Sequence, residues 1–249
     1  MGALRVLNRH LRVFSHIWQH DVMFTVVEPL FYLTAFGLGM GVFVQDIAGM
    51  TYLEFLAPGM VTLSAMYAAT FECSYGTFVR IHHQKTFLAL LAGPVTARDV
   101  ILGEMLYGTL KSTLFGTVVL AVVAALGQVR SPMALAIPLV LAVQGMVFAA
   151  LAMWYTAYIA KIDYLNYYIT LAILPFFLFG GLFFPVDPLP AWVKTANYIN
   201  PLYHSVEVCR ALALGRAGAE QWLNVGLLAL IGACVLPFPL RLMEKRLIN

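Results

Sequence analysis

The longest uncharged stretch of the chain, residues 131–160, contains no Asp, Glu, Lys or Arg between Arg130 and Lys161. A helix that crosses a membrane needs about 20 mainly apolar residues. The composition of the whole chain also indicates a membrane protein. Of its 249 residues, 61% are hydrophobic and only 11% are charged, against about 25% charged residues in soluble domains. There is too little polar surface for a water-soluble globule, so we predict an all-α integral membrane protein.

Six stretches are long and apolar enough to be membrane spans. They lie at about 24–44, 56–79, 104–126, 136–160, 164–184 and 221–240. If the N-terminus is cytoplasmic, the inner segments hold most of the Lys and Arg residues, and the short outer loop 45–55 holds none. Because Lys and Arg concentrate on the cytoplasmic side of membrane proteins, we predict that both termini are cytoplasmic.

The first 22 residues predict an amphipathic helix that precedes the first span. Their apolar side chains recur every three or four residues, at Leu4, Leu7, Leu11, Phe14 and Trp18. The basic residues lie elsewhere on the helix, which is typical of a helix lying in the membrane interface. A solvated basic leader is the alternative for residues 1–22.

The loop between the second and third spans, 81–99, has helical signals of its own. It contains a polar cluster and a short apolar stretch, followed by a turn at Gly93-Pro94. Thr96 and Asp99 have the spacing of a capping box, which starts the helix leading into the membrane. A loop of this length with its own apolar stripe usually docks onto a partner.

The segment before the last span, 185–215, predicts an external re-entrant helical hairpin. Asp187-Pro188 and Asn200-Pro201 each read as a helix cap followed by a proline at the first helical position. The two helices, about 188–198 and 201–214, are too short to cross, since 14 residues rise only about 21 Å against about 30 Å of hydrocarbon. Trp192 suits the membrane–water interface.

Three polar residues inside the spans are candidates for a transport path. Glu28 either lines the path or has a partner within the protein or at the interface, and Glu72 either pairs with a cation such as Lys111 or lines a wet cavity. Intramembrane charge is costly and usually functional. Gln144 lies in the uncharged fourth span, where an interhelical hydrogen bond is the common role.

Aromatic residues cluster near the inner ends of the fourth and fifth spans. Tyr155 and Tyr158 belong to this cluster, and their rings either stack on the sugar rings of a cargo or form part of an interfacial aromatic belt. Four isolated histidines, His10, His16, His20 and His204, show no metal-ligand spacing, and we expect them at surface or interface positions. We predict no metal site and no catalytic residue.

The chain contains no phosphate-binding loop of the form G-x-x-x-x-G-K-[ST], so ATP hydrolysis would need a separate chain. Two rival functions are weaker. A lipid-modifying enzyme using Glu72 or the pair His82-His83 lacks a nucleophile–base or metal constellation. A proton-driven transporter using Glu28 or Glu72 lacks the internal repeats that such folds usually have.

Two regions carry a family resemblance. The sequence from Gly180 to Leu212, GGLFFPVDPLPAWVKTANYINPLYHSVEVCRAL, resembles the C-terminal signature of type-2 ABC transporter permeases, including a final helix that carries an arginine, here Arg210. Residues Phe55–Arg80 resemble the second span of that family. Together with DVILGE at Asp99–Glu104, they are similar to the subfamily that exports nodulation factors, which are lipo-oligosaccharides.

The resemblance implies one transmembrane domain over residues 1–249, in the inner membrane of a bacterium. It implies two permease copies, most simply a homodimer, assembled with two cytoplasmic ATPase subunits that bind ATP and Mg²⁺. It also implies an amphipathic or lipid-linked cargo, no nucleic acid and export by alternating access, with drugs or polysaccharides as alternative cargoes. By the same resemblance, loop 81–99 is the coupling element, and its contact candidates are His82, His83, Gln84, Lys85 and Thr86.

Overall fold

A computed structural model describes residues 2–44, 47 and 49–248, without the side chains of residues 20, 22–26 and 248. Part of the predicted loop 45–55 and Met1 therefore lie outside the described residues. The described residues form helices joined by turns and loops, with one isolated bridge between Ile47 and Met50. Its α-helices are α1 (Gly2–Tyr32), α2 (Tyr52–Phe71), α3 (Thr77–His82), α4 (Thr86–Leu91), α5 (Ala97–Ala125), α6 (Ile137–Tyr158), α7 (Leu165–Tyr168), α8 (Leu174–Phe179), α9 (Ala191–Asn197), α10 (Pro201–Leu214), α11 (Ala219–Val235) and α12 (Pro237–Ile248).

Irregular helical turns connect several of these helices. Three are π-helical, at Leu33–Gly39, Glu72–Gly76 and Ile169–Ile173. The first extends α1, the second joins α2 to α3, and the third joins α7 to α8. Three are 3₁₀-helical, at Met40–Val42, Pro132–Ala136 and Ile162–Tyr164.

Helix α2 lies at the centre of the bundle, packed against α5 and α6. Of its 20 residues, 17 are buried. Small residues allow close packing in the bundle, since a Cβ added at Gly116 of α5 would lie 3.1 Å from the Cβ of Ala65 in α2, and one added at Gly145 of α6 would lie 2.7 Å from Ser112 of α5. Glycine at helix contacts is a common device of membrane bundles.

Four helical stretches are long and apolar enough to cross a membrane, among the residues that the structure describes. They are Ala97–Ala125, Pro132–Tyr158, Ile162–Phe179 and Ala219–Leu247, and a shorter apolar stretch covers Val27–Val42. These stretches match the predicted spans 24–44, 104–126, 136–160, 164–184 and 221–240. Predicted span 56–79 covers most of α2, the π-helical turn Glu72–Gly76 and the start of α3. Because α2 is buried along most of its length, other helices rather than lipid cover its surface. The count of six spans stays a prediction.

The predicted interfacial helix, 1–22, and the start of the predicted span 24–44 belong to one continuous helix. Helix α1 runs without a break from Gly2 to Tyr32, because no proline or glycine interrupts it before Pro29. Of the predicted apolar stripe, Phe14 is buried, while Leu4 and Trp18 are exposed. The helix therefore packs one edge against α5 and leaves another apolar edge uncovered.

The predicted hairpin segment, 185–215, has the second predicted helix start but not the first, and its re-entrant course stays a prediction. Asn200 accepts a hydrogen bond from the backbone N–H of Leu202, directly before Pro201, and Gly215 ends α10 with a φ of 71°. Pro188 is not the first helical residue, because it lies in a turn closed by a hydrogen bond from the Leu189 N–H to the Val186 carbonyl oxygen. Helix α9 begins three residues later, at Ala191.

Candidate functional sites of the bundle

Contacts between distant segments define two ends of the bundle. At the terminal end, the Ala3 N–H donates to Asp99 Oδ1 at 2.9 Å, and Arg98 Nε donates to Glu244 at 2.9 Å. This end holds the start of α1, the predicted loop 81–99 and the end of α12. At the hairpin end, N–H groups of the connection between α5 and α6 donate to the Ala213 carbonyl oxygen.

The predicted contact segment His82–Thr86 forms a tight turn between α3 and α4 at the terminal end. His83, Gln84 and Lys85 are exposed, whereas Thr86 is buried and donates to the Gln84 side chain at 3.4 Å. Lys85 has a φ of 52°, in the left-handed region that reverses the chain direction. His82 is exposed as well, so four of the five candidate side chains lie at the surface.

The side chain of His82 contacts the C-terminal helix, α12. Arg246 donates to His82 Nε2 at 2.9 Å and to the carbonyl oxygens of Thr156 and Ile159 at 2.6 and 2.7 Å. Burial lowers the pKa of His82, and the charges of Arg246 and His83 lower it further. A neutral His82 can accept this hydrogen bond, so it anchors α12 beside the turn.

Glu72 lies in the π-helical turn below this segment and is largely buried. Its carboxylate lies 2.7 Å from the Arg80 guanidinium and 2.8 Å from the Lys111 ammonium group. The ion pair with Lys111, one of the two predicted roles of Glu72, is present. Glu72 precedes His83, the first residue of the exposed turn His83–Lys85, by 11 residues, or about three helical turns.

The ion pairs continue to residues outside the predicted transport path. Arg80 binds the buried Glu104 at 2.6 Å, and Lys111 binds Asp21 of α1 at 2.7 Å. His10 of α1, which we expected at a surface or interface, is buried with Nε2 2.8 Å from Glu104, close but without hydrogen-bond alignment. The sequence signal for these contacts is the carboxylate of Glu104 within the apolar helix α5, since a carboxylate in such a helix needs a partner.

The remaining predicted path residues do not lie together. Gln144 is fully buried and donates to the Thr62 carbonyl oxygen at 2.8 Å, which is the interhelical bond that we expected as its common role. Glu28 is exposed on the surface of the bundle. Tyr155 stacks on Tyr168 with ring centroids 5.1 Å apart, and Tyr158 is exposed. The described structure therefore does not unite them into one enclosed site.

An apolar groove of about 510 Å³ lies near the hairpin end between α6, α10 and α11. Leu139 and Val143 line one side, and Leu212 and Trp222 lie on the other sides. None of the predicted path residues contributes to its lining.

Arg210 fixes the hairpin to the ends of two other helices. It donates to the Gly181 carbonyl oxygen at 2.7 Å, to the Phe55 carbonyl oxygen at 3.2 Å and to Glu207 at 2.6 Å. Its guanidinium carbon lies 3.8 Å from the centre of the Phe55 ring. Trp192 is exposed and touches Phe179 edge-on, with ring centroids 6.0 Å apart. Arg210 is thus the main polar link of the hairpin to α2.

Within the described part of the chain, no group of three or more His, Cys, Asp or Glu side chains has an arrangement suited to a metal ion. Apolar helices long enough to cross a membrane, buried ion pairs between them and an exposed turn at one end define the class: a helical membrane protein. The profile of the ABC-2 type transporter family matches residues 3–214, and the chain belongs to that family. Members of the family are membrane subunits of transporters and lack an ATPase of their own.

Named relatives are similar over most of their length. Nodulation protein J of Rhizobium meliloti (strain 1021) is 36% identical over 246 residues, which cover 98% of this chain and 93% of the relative. Nodulation protein J of Rhizobium leguminosarum bv. trifolii is 40% identical over 227 residues, covering 90% and 86%. The inner membrane transport permease YadH of Escherichia coli (strain K12) is 23% identical over 209 residues, covering 83% and 80%.

Proposed function

We propose that this chain is the membrane permease of an ATP-driven exporter that moves a lipo-oligosaccharide or a related glycolipid outward. The observation that carries the proposal is the similarity to Nodulation protein J along nearly the whole of both chains. The exposed turn His83–Lys85 supports it, because a transporter subunit without an ATPase needs a surface through which a partner can act. Amphipathic drugs and polysaccharides are the alternative cargoes.

The proposed assembly contains two copies of this chain and two cytoplasmic ATPase subunits in a bacterial inner membrane. ATP and Mg²⁺ are bound by the ATPase subunits. Both termini of the permease are cytoplasmic, which puts the turn His83–Lys85 on the side of the ATPase. Closure of the ATPase pair moves this turn, and the spans follow as rigid bodies that expose the cargo path alternately to the two sides.

The first test is transport by purified components in proteoliposomes. We expect movement of a fluorescently labelled lipo-oligosaccharide only when this chain, its partner ATPase and Mg-ATP are all present. The control replaces ATP by a non-hydrolysable analogue and should give no movement. Transport by this chain alone, or transport driven by a proton gradient without the ATPase, would contradict the proposal.

A variant of the turn tests the docking surface. We expect His83→Ala, Gln84→Ala and Lys85→Asn together to reduce co-purification of the ATPase about tenfold, since a few exposed residues can carry most of an interface's binding energy. Asparagine tolerates the left-handed conformation of residue 85, so the fold should persist. Lys194→Asn on α9, which removes the same charge from an exposed site at the hairpin end, is the matched control. Equal co-purification of both variants would exclude this docking surface.

A further inference from the structure

Arg80 of α3 binds Glu72 across the π-helical turn between α2 and α3. Its Nη1 lies 2.7 Å from the Glu72 carboxylate, and its Nη2 donates to the Glu72 carbonyl oxygen at 3.2 Å. Glu72 begins the turn and Arg80 follows it, so these contacts cross the turn from one side to the other. A π-helical turn is a weak point of a helix and is often found at functional sites.

The same guanidinium reaches α5, because Nη2 also donates to Glu104 at 2.6 Å. Through Glu104 the contacts extend to His10, and through Glu72 and Lys111 they extend to Asp21. Three helices, α1, α3 and α5, are thereby connected by charged side chains that are mostly shielded from water. Charge pairs in such surroundings have strict geometry and are costly to break.

Gly76 shows how tightly the pair of Arg80 and Glu72 is packed. A Cβ added at Gly76 would lie 2.9 Å from the Glu72 Oε1 atom and 3.2 Å from both terminal nitrogens of Arg80. Even a single methyl group would displace the ion pair. Glycine at this position therefore preserves the space that the contact across the turn needs.

Arg80 links its ion pair with Glu72 to the proposed docking turn His83–Lys85, because it lies close to that turn. Arg80 lies three residues before His83, the first residue of the exposed turn, and so about one helical turn away. On the other side of the π-helical turn, α2 carries the aromatic residues Tyr67 and Phe71, whose ring centroids are 5.6 Å apart. If α3 is displaced, either the π-helical turn deforms or the neighbouring helices move with α3. The contacts of Arg80 favour movement of the neighbouring helices.

We propose that Arg80 is a positioning residue that transmits movement of the docking turn to α1, α2 and α5. The inference rests on the proposed function, in that the partner ATPase pushes on the turn His83–Lys85. With Arg80 in place, α3 moves as one body with these helices. When Arg80 cannot bind both Glu72 and Glu104, the π-helical turn deforms, and ATP is hydrolysed without movement of cargo.

Two mild variants test this role in the complete complex with its ATPase. Arg80→Lys keeps the charge but loses the fork that reaches both carboxylates, and Gly76→Ala disturbs the contact without changing any charge. We expect the amount of labelled lipo-oligosaccharide moved per ATP to fall about fivefold or more, while ATPase binding and ATP hydrolysis persist. Gly226→Ala in α11 is the matched control, because a Cβ there meets no atom within 4 Å.

Hydrogen exchange provides a second readout that does not depend on transport. In the wild type, we expect addition of ATP to change amide protection in both α3 and α5, and in Arg80→Lys to change it in α3 alone. Unchanged transport per ATP in both variants, or ATP-dependent changes in α5 that survive Arg80→Lys, would overturn the inference. Those results leave the proposed function standing, whereas loss of ATPase-dependent transport in the wild type would remove the proposed function itself.

Discussion

Replacing Arg210 by leucine is expected to lower the free energy of unfolding by about 3 kcal/mol, because the change leaves the buried Gly181 carbonyl oxygen without its charged donor. The carbonyl oxygens of Gly181 and Phe55 both lose a charged donor. The contact between the guanidinium and the Phe55 ring is lost as well. The hairpin then loses its main polar attachment to α2, and both folding yield and export should fall.

The measurement is thermal unfolding of the purified chain in detergent, followed by the yield of folded protein. Arg98→Leu is the matched control, because its side chain is 68% exposed and pairs with Glu244 at 2.9 Å. A surface ion pair of this kind contributes about 0–1 kcal/mol. Equal shifts in the unfolding temperature of the two variants would show that Arg210 contributes no more than a surface arginine.

Replacing Glu104 by leucine is expected to destabilise the chain by about 3–5 kcal/mol, the usual cost of removing one partner from a buried ion pair. Glu104 is completely buried, and it is the point where Arg80 and His10 meet. Removing its carboxylate leaves Arg80 with Glu72 as its remaining acidic partner. The variant should give a much lower yield of folded protein.

The control for Glu104 is Glu244→Leu, which removes the same group from the partly exposed pair with Arg98. We expect it to change the unfolding temperature by a small fraction of the effect at Glu104. Combining Glu104→Leu with Arg80→Met tests the mechanism, since removal of both charges should recover part of the lost stability. A double variant that is less stable than Glu104→Leu alone would argue against an unpaired buried charge as the cause.

The features that the sequence predicted well are local. The capping box of Thr96 and Asp99 and the cap formed by Asn200 before Pro201 depend on residues two or three positions apart, and both are present. The first hairpin helix was misplaced, because a proline fits a turn as well as the first position of a helix. At Pro188 the turn is the observed structure.

Long-range contacts were harder to predict, because no sequence spacing encodes them. His10 and Glu104 are 94 positions apart, and only the packing of α1 against α5 brings them together. Glu72 and Lys111 were within reach of prediction, since a charge within an apolar helix calls for an opposite one. The boundary drawn between the interfacial helix 1–22 and the span 24–44 lies inside α1, because the chain has no residue there that ends a helix.

The unbroken course of α1 has a consequence for experiments on the N-terminal segment. A helix of 31 residues is a rod about 45 Å long, which exceeds the hydrocarbon thickness of about 30 Å. Because α1 is continuous, tilting its first turns also moves Tyr32, whose ring lies 6.0 Å from the Phe36 ring and 5.9 Å from the Phe177 ring. Substitutions meant to alter only how residues 1–22 lie at the lipid surface will therefore also change the contact between Tyr32 and Phe177.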